Sequence, residues 1–161
     1  MRDVDYCGDP QDVEVFEGAG EALRRLDQAG YKLVVITNQS GIGRGYFNQQ
    51  QYQSVERELS RQLGGALISA TYYCPHLPSD NCQCRKPSGD MVVRASNDLG
   101  LDLGRSFFVG DKRSDIECGR NAGVRTILVR TGYGTETDPA LADFTAENLQ
   151  QAADLILAET R

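Results

Sequence analysis

The sequence predicts an α/β fold, a doubly wound parallel sheet with helices on both faces. Three observations lead there. Short apolar runs rich in β-branched residues, such as YKLVVIT at 31–37, read as strands buried on both faces. Between such runs lie segments whose apolar residues recur at helical spacing, such as Tyr52, Val55, Leu59 and Leu63. The two kinds alternate with short joints, which implies right-handed crossovers and parallel neighbours. The length of 161 residues, with 40% hydrophobic and 25% charged, fits a single domain spanning 1–161.

The elements follow in order. Residues 18–30 carry Ala22, Leu23, Leu26 and Ala29 on one stripe and end at Gly30, suited to the left-handed backbone that stops a helix. The strand at 31–37 leads into a glycine-punctuated loop at 38–47. Asn48 can cap the next helix with its side-chain oxygen, and Gly64-Gly65 ends it. A strand at 67–73 precedes a loop crowded with cysteines. Ser88 opens a helix carrying Met91, Val92, Ala95 and Leu99, closed by Gly100. A strand at 106–109, a helix at 114–122, a strand at 126–130 and an amphipathic helix from about Glu147 complete the chain.

Composition excludes several classes of function. No run approaches the roughly 18 apolar residues of a membrane span, and the first ten residues hold no signal-like apolar stretch. A cytoplasmic monomer is expected. The formal charge of −6, from 17 basic and 23 acidic residues, argues against a general nucleic-acid binder. An anionic ligand must then be met by a few well-placed cations.

In parallel α/β sheets ligands bind beyond the carboxyl ends of the strands. After the strand at 106–109, Gly110 permits a close turn, Asp111 stands at its tip and Asp115 follows on the opening turn of a helix. Two carboxylates so placed can hold a hard cation such as Mg²⁺, one directly and one through its shell. The plainer alternative is that Asp115 or Ser114 caps the helix. Thr37, at the end of its strand, can aim a hydroxyl at a phosphate-sized anion together with the backbone N–H groups that follow. Taken alone, such a threonine is usually a simple strand end. Lys86 adds a compact positive charge able to neutralise phosphoryl oxygens. Cys74, His76, Cys82 and Cys84 supply four ligands within eleven residues, enough for a closed, structural Cys₃His zinc site. Unligated loop residues or a redox pair are the alternatives. Cys118, on a helix, reads as a small packed residue.

The order of Thr37, Lys86 and G-D-x-x-x-D, each after a strand, resembles the haloacid dehalogenase-like (HAD-like) phosphatase superfamily. TNQSGIGRGYF, YYCPH, CQCRKP, VGDKRSDIECGRNAG and VRTGYG are similar to the branch holding the D-glycero-D-manno-heptose 1,7-bisphosphate 7-phosphatases and histidinol-phosphate phosphatases. The resemblance implies a Rossmannoid fold and a Mg²⁺-dependent aspartyl-phosphate mechanism on a small phosphorylated metabolite. It assigns Thr37 and Lys86 to the transferring phosphoryl group, Asp111 to Mg²⁺ and Asp115 to support of that metal. It assigns Asn38, Gln39, Ser40, Arg85 and Lys112 to substrate, and the zinc loop to holding Arg85 and Lys86 at the site mouth. Heptose bisphosphate is the leading substrate, with histidinol phosphate or a non-catalytic binding module as alternatives. Only 48 residues separate Thr37 from Lys86, which leaves no room for a large cap domain.

One motif of that superfamily is missing. Its nucleophile and acid-base pair lie in D-x-D-G after an apolar strand, and no such motif occurs in the sequence. Asp3-Val4-Asp5 is a poor substitute, because no apolar strand precedes it and Tyr6-Cys7 follows where Gly-Thr is needed. The expectation is a chain lacking the central first strand and its nucleophile, with negligible activity alone. A slot is then expected between the strand ending at Thr37 and the one ending at Val109, or else poor stability.

Overall fold

In a computed structural model of the chain, residues 1, 4–65 and 67–159 are described, so Asp3 of the D-x-D lies outside the described residues. The chain divides into two compact units, Met1–Cys82 and Gln83–Arg161.

The first unit contains α1 (Ala19–Gln28), β1 (Leu33–Asn38), a one-turn helix α2 (Ser40–Gly43), α3 (Gln49–Gln62) and β2 (Ile68–Cys74). α1 buries Ala19, Ala22 and Leu26; Ala29, expected on the same stripe, lies past the helix end and is exposed. α3 begins as expected at Asn48, in a reciprocal cap. Asn48 Oδ1 accepts from the Gln51 N–H at 2.9 Å, and Gln51 Oε1 accepts from the Asn48 N–H at 2.8 Å. It stops where Gly64 and Gly65 adopt φ of +98° and +100°. β1 and β2 pair in parallel, from Leu33 opposite Ile68 to Asn38 opposite Cys74. β1 starts two residues later than expected, because the Tyr31 N–H is still bonded to Leu26 O of α1 at 3.1 Å. Among its six residues only Leu33 is buried, so β1 is less covered than its apolar run suggests.

The second unit contains α4 (Asp90–Leu99), β3 (Phe107–Gly110), α5 (Arg113–Ala122), β4 (Arg125–Val129), β5 (Phe144–Ala146) and α6 (Leu149–Glu159). β3, β4 and β5 are all parallel, with β4 in the middle. Having a strand on each side, β4 is the deeply buried run the sequence promises: Thr126, Ile127 and Leu128 are fully covered. Met91, Ile116, Cys118, Ala152 and Ala153 complete this core, and Cys118 is the packed residue expected. Gly119 lets α5 lie close, since a Cβ there would come within 2.7 Å of the Phe108 and Thr126 side chains. α4 is capped by Gly89 instead of Ser88, although Ser88 Oγ still accepts from the Asp90 N–H at 3.2 Å.

The fold is α/β, with parallel strands alternating with helices. Among the described residues the strands form two hydrogen-bonded sheets, β1-β2 and β3-β4-β5, where one continuous sheet is the ordinary expectation. Among the described residues no helix is long and apolar enough to cross a membrane.

Candidate active site

The chemistry of the second unit centres on the turn between β3 and α5. Gly110 ends the strand, and a Cβ there would overlap Asp115, so glycine is required for the first turn of α5 to fold back on the strand end. Asp115 is 6% exposed, and both of its oxygens are engaged. Oδ2 accepts from the Asp111 and Lys112 N–H groups at 3.3 and 3.1 Å, while Oδ1 accepts from Lys86 Nζ at 2.6 Å. The capping role weighed for Asp115 is realised, and the same carboxylate also holds Lys86. Three of the roughly four acceptor positions of the buried Asp115 carboxylate are thereby taken, so the geometry suits a supporting role better than direct ligation of a cation.

Lys86 is fixed by more than its ion pair. Its side chain is 11% exposed, and Nζ lies 5.9 Å from the Phe108 ring centroid. The next residues are fastened to one face of α5. Asn121 Nδ2 donates to Pro87 O at 2.8 Å, and Cys118 Sγ donates to Ser88 O at 3.0 Å. Gly89 packs so tightly that a Cβ would fall 2.8 Å from Ala122 N. Asp115, Cys118 and Asn121 therefore hold the Lys86-Pro87-Ser88 segment from successive turns of a single helix. Burial, partly opposed by the Lys86 charge, pushes the Cys118 thiol up to about 11, which keeps it protonated and unreactive.

Asp111 is half-buried, and Oδ2 accepts from the Tyr133 N–H at 3.0 Å. Its carbonyl accepts from Thr137 Oγ1 at 3.1 Å. A carboxylate with one oxygen oriented by a single amide retains acceptor capacity for a hard cation, so Asp111 fits Mg²⁺. Lys112 is exposed, with Nζ 4.1 Å from the Tyr133 ring centroid. Gly132, Tyr133 and Thr137 are functional candidates absent from the sequence expectations. The signal was present, because VRTGYG also follows a strand directly and so obeys the rule that singled out the other loops.

The first unit places Thr37 at the end of β1, half-buried, with Oγ1 accepting from Gln39 Nε2 at 3.0 Å. A hydroxyl that accepts from an amide has its own proton to donate, as an anion requires. The backbone donors expected to share that task are partly committed. The Gln39 N–H bonds Cys74 O at 2.7 Å, Gly43 N–H bonds Pro75 O at 3.0 Å, and Ile42 N–H bonds Gln39 O at 3.1 Å. The first two of these bonds tie the loop that begins at Asn38, Gln39 and Ser40 to the start of the cysteine loop. The ligand atoms of Cys74, His76, Cys82 and Cys84 all lie within 4.8 Å of one another. Such convergence suits a tetrahedral ion with Zn–S distances of about 2.3 Å. Arg85 is half-buried beside that cluster in sequence.

A parallel α/β frame bearing two carboxylates four residues apart after one strand, with a lysine bound to the second, defines a hydrolase of the HAD-like class. A model of the HAD-hydrolase-like family matches residues 83–152. The D-glycero-β-D-manno-heptose-1,7-bisphosphate 7-phosphatase of Haemophilus ducreyi is 40% identical over 96% of this chain and 85% of its own. A D-glycero-α-D-manno-heptose-1,7-bisphosphate 7-phosphatase of Photorhabdus laumondii is 35% identical over 96% of this chain and 90% of its own. The crystal structure of the D,D-heptose 1,7-bisphosphate phosphatase of B. bronchiseptica, complexed with magnesium and phosphate, superposes with a TM-score of 0.89 and 32% identity. It covers 98% of this chain and 92% of that one. The chain belongs to the D-glycero-D-manno-heptose 1,7-bisphosphate 7-phosphatase family of HAD-like phosphatases.

Proposed function

We propose that the chain binds D-glycero-D-manno-heptose 1,7-bisphosphate and serves removal of its 7-phosphate, as a cytoplasmic monomer whose 161 residues form one phosphatase domain. The observation that carries this reading is the buried Lys86–Asp115 pair set beside Asp111, in a chain of this family. Lys86, immobilised by Asp115, would meet a phosphoryl oxygen without losing the rotamer freedom a solvated lysine must surrender. Thr37 would donate its hydroxyl to a phosphate oxygen. Asp111 and, through its shell, Asp115 would hold Mg²⁺, which supplies neutralisation of the phosphoryl charge. Asn38, Gln39, Ser40, Arg85 and Lys112 are assigned to the sugar and its second phosphate. Cys74, His76, Cys82 and Cys84 are assigned to structural zinc, and their thiolates fit a reducing compartment.

The 161 residues contain no D-x-D-G, so the nucleophile of the aspartyl-phosphate route has no counterpart in them. The chain by itself is therefore expected to bind substrate without hydrolysing it. Calorimetric titration with both anomers of the heptose bisphosphate and with histidinol phosphate, with Mg²⁺ present, tests the reading alongside a phosphate-release assay. Tighter binding of a heptose bisphosphate anomer without turnover is expected. Preference for histidinol phosphate would overturn the substrate assignment, and Mg²⁺-dependent turnover would overturn the expected inactivity.

A further inference from the structure

The loop after β4 makes three contacts with the Asp111-Lys112 turn, and Tyr133 supplies two of them. Its backbone N–H donates to Asp111 Oδ2 at 3.0 Å, and its ring lies under Lys112 Nζ at 4.1 Å. The third is the Thr137 hydroxyl on Asp111 O at 3.1 Å. The loop is built for this approach. Gly132 has φ of +60°, and a Cβ there would overlap Asp111 Oδ2; a Cβ on Gly134 would overlap Val129 O. No larger residue at either position leaves the Tyr133 amide where it is.

We propose that Tyr133 is a positioning residue that uses one side chain and one amide to set two adjacent groups: Lys112 for the substrate anion and Asp111 for the cation. The proposal rests on the roles assigned above to Lys112 and Asp111. An exposed lysine normally samples many rotamers, and an arriving anion must pay for freezing them. An ammonium already resting on an aromatic face has surrendered part of that freedom, and the ring's negative face leaves the outward N–H bonds directed at solvent. The amide contact does the same for Asp111, fixing Oδ2 against the loop after β4 and with it the plane of the carboxylate.

Two ligand-free NMR readouts test the geometry. The Lys112 ε-methylene protons should be shifted upfield by the ring in the wild type and in Tyr133→Phe, and return to exposed-lysine values in Tyr133→Ala. The Tyr133 amide should exchange with solvent at least about tenfold faster in Asp111→Ala than in the wild type. Titration with inorganic phosphate and Mg²⁺ then tests the consequence. Tyr133→Ala should weaken phosphate binding about two- to fivefold, the scale of an exposed cation–π contact, while Tyr133→Phe stays at the wild-type value. Unshifted Lys112 protons in the wild type, or equal phosphate affinity in Tyr133→Ala, would overturn the ring's role. Unchanged amide exchange would overturn the amide's role. A wild-type chain that binds neither Mg²⁺ nor phosphate would instead overturn the functional reading, and the NMR measurements distinguish that failure from a failure of the positioning.

Discussion

Replacing Lys86 by Met removes an ammonium that sits 2.6 Å from Asp115 Oδ1 while roughly preserving side-chain volume. The two side chains are 11% and 8% exposed, so the carboxylate left behind cannot simply be rehydrated. Breaking a buried pair by removing one partner costs about 3–5 kcal/mol. Here Asp115 Oδ2 keeps the Asp111 and Lys112 amides at 3.3 and 3.1 Å, which still favour its charge. A loss of about 3 kcal/mol, at the low end of that range, is expected. For a chain of this size about 1 kcal/mol corresponds to roughly 2–4 °C, so thermal unfolding followed by circular dichroism should show a midpoint about 6–12 °C lower. The deficit should persist in 1 M salt, because buried pairs are screened far less than surface ones. Lys86→Met combined with Asp115→Asn, which leaves no unpaired charge, should recover most of the loss. A Lys86→Met midpoint within a degree or two of the wild type, or a double variant no better than the single one, would refute the view that this pair is a buried unit and Asp115 the anchor of Lys86.

Gly132→Ala should weaken Mn²⁺ binding, read by electron paramagnetic resonance, by on the order of tenfold, the typical effect of disturbing a group that orients a metal ligand; its Cβ would strike Asp111 Oδ2. Zinc analysis should find one ion per chain, and a strong chelator should release it and lower the unfolding midpoint; Cys74→Ser, at a fully buried ligand, should abolish retention. The Thr126 hydroxyl and then its N–H, bonded at 2.8 and 2.7 Å, hold the Asp143 carboxyl below the usual carboxylate range. A lowered folded-state value gives stability that is present above the unfolded value of about 3.9 and lost as pH falls through the folded one. Asp143 is exposed, so water competes for its carboxylate, and Asp143→Ala should lose only about 0.5–1 kcal/mol at pH 7 by urea denaturation, with the gap to wild type closing in acid.

The elements legible in the sequence are those whose ends are written in side-chain chemistry. α3 was bounded by Asn48 and Gly64-Gly65 because a cap and a left-handed stop are local events. β1 was displaced by two residues because apolar Tyr31 is claimed by a backbone bond to Leu26, which no hydrophobic pattern reveals. β5 escaped notice for a related reason. It is three residues long and exists only through its pairing with Ile127–Val129, so its signal lies in the partner strand. At the candidate site, Asp111, Asp115 and Lys86 were legible because the chemistry proposed for them requires those side chains. Tyr133 was not, because what it gives Asp111 is an amide any residue could supply. The division of the strands, among the described residues, into two sheets is not legible in any single run, since pairing is a property of strands in combination.

The charges at the β3–α5 turn bear on how an acidic protein, with a net formal charge of −6, would address the dianion proposed as its ligand. Asp111, Asp115, Lys86 and Lys112 make two negative and two positive groups, so this corner is formally neutral by itself. Lys86 is matched by Asp115 at 2.6 Å, and its charge reaches an arriving phosphate already partly compensated. Lys112 rests on a ring and not on a carboxylate, so its charge is more fully available. A divalent cation at Asp111 would bring the corner to a formal +2, equal and opposite to a phosphate monoester dianion. The Lys86–Asp115 pair is then better understood as a device for holding an ammonium still than as a source of attraction. On the proposed reading, attraction would fall to a cation at Asp111 and to Lys112, the two groups that Tyr133 contacts.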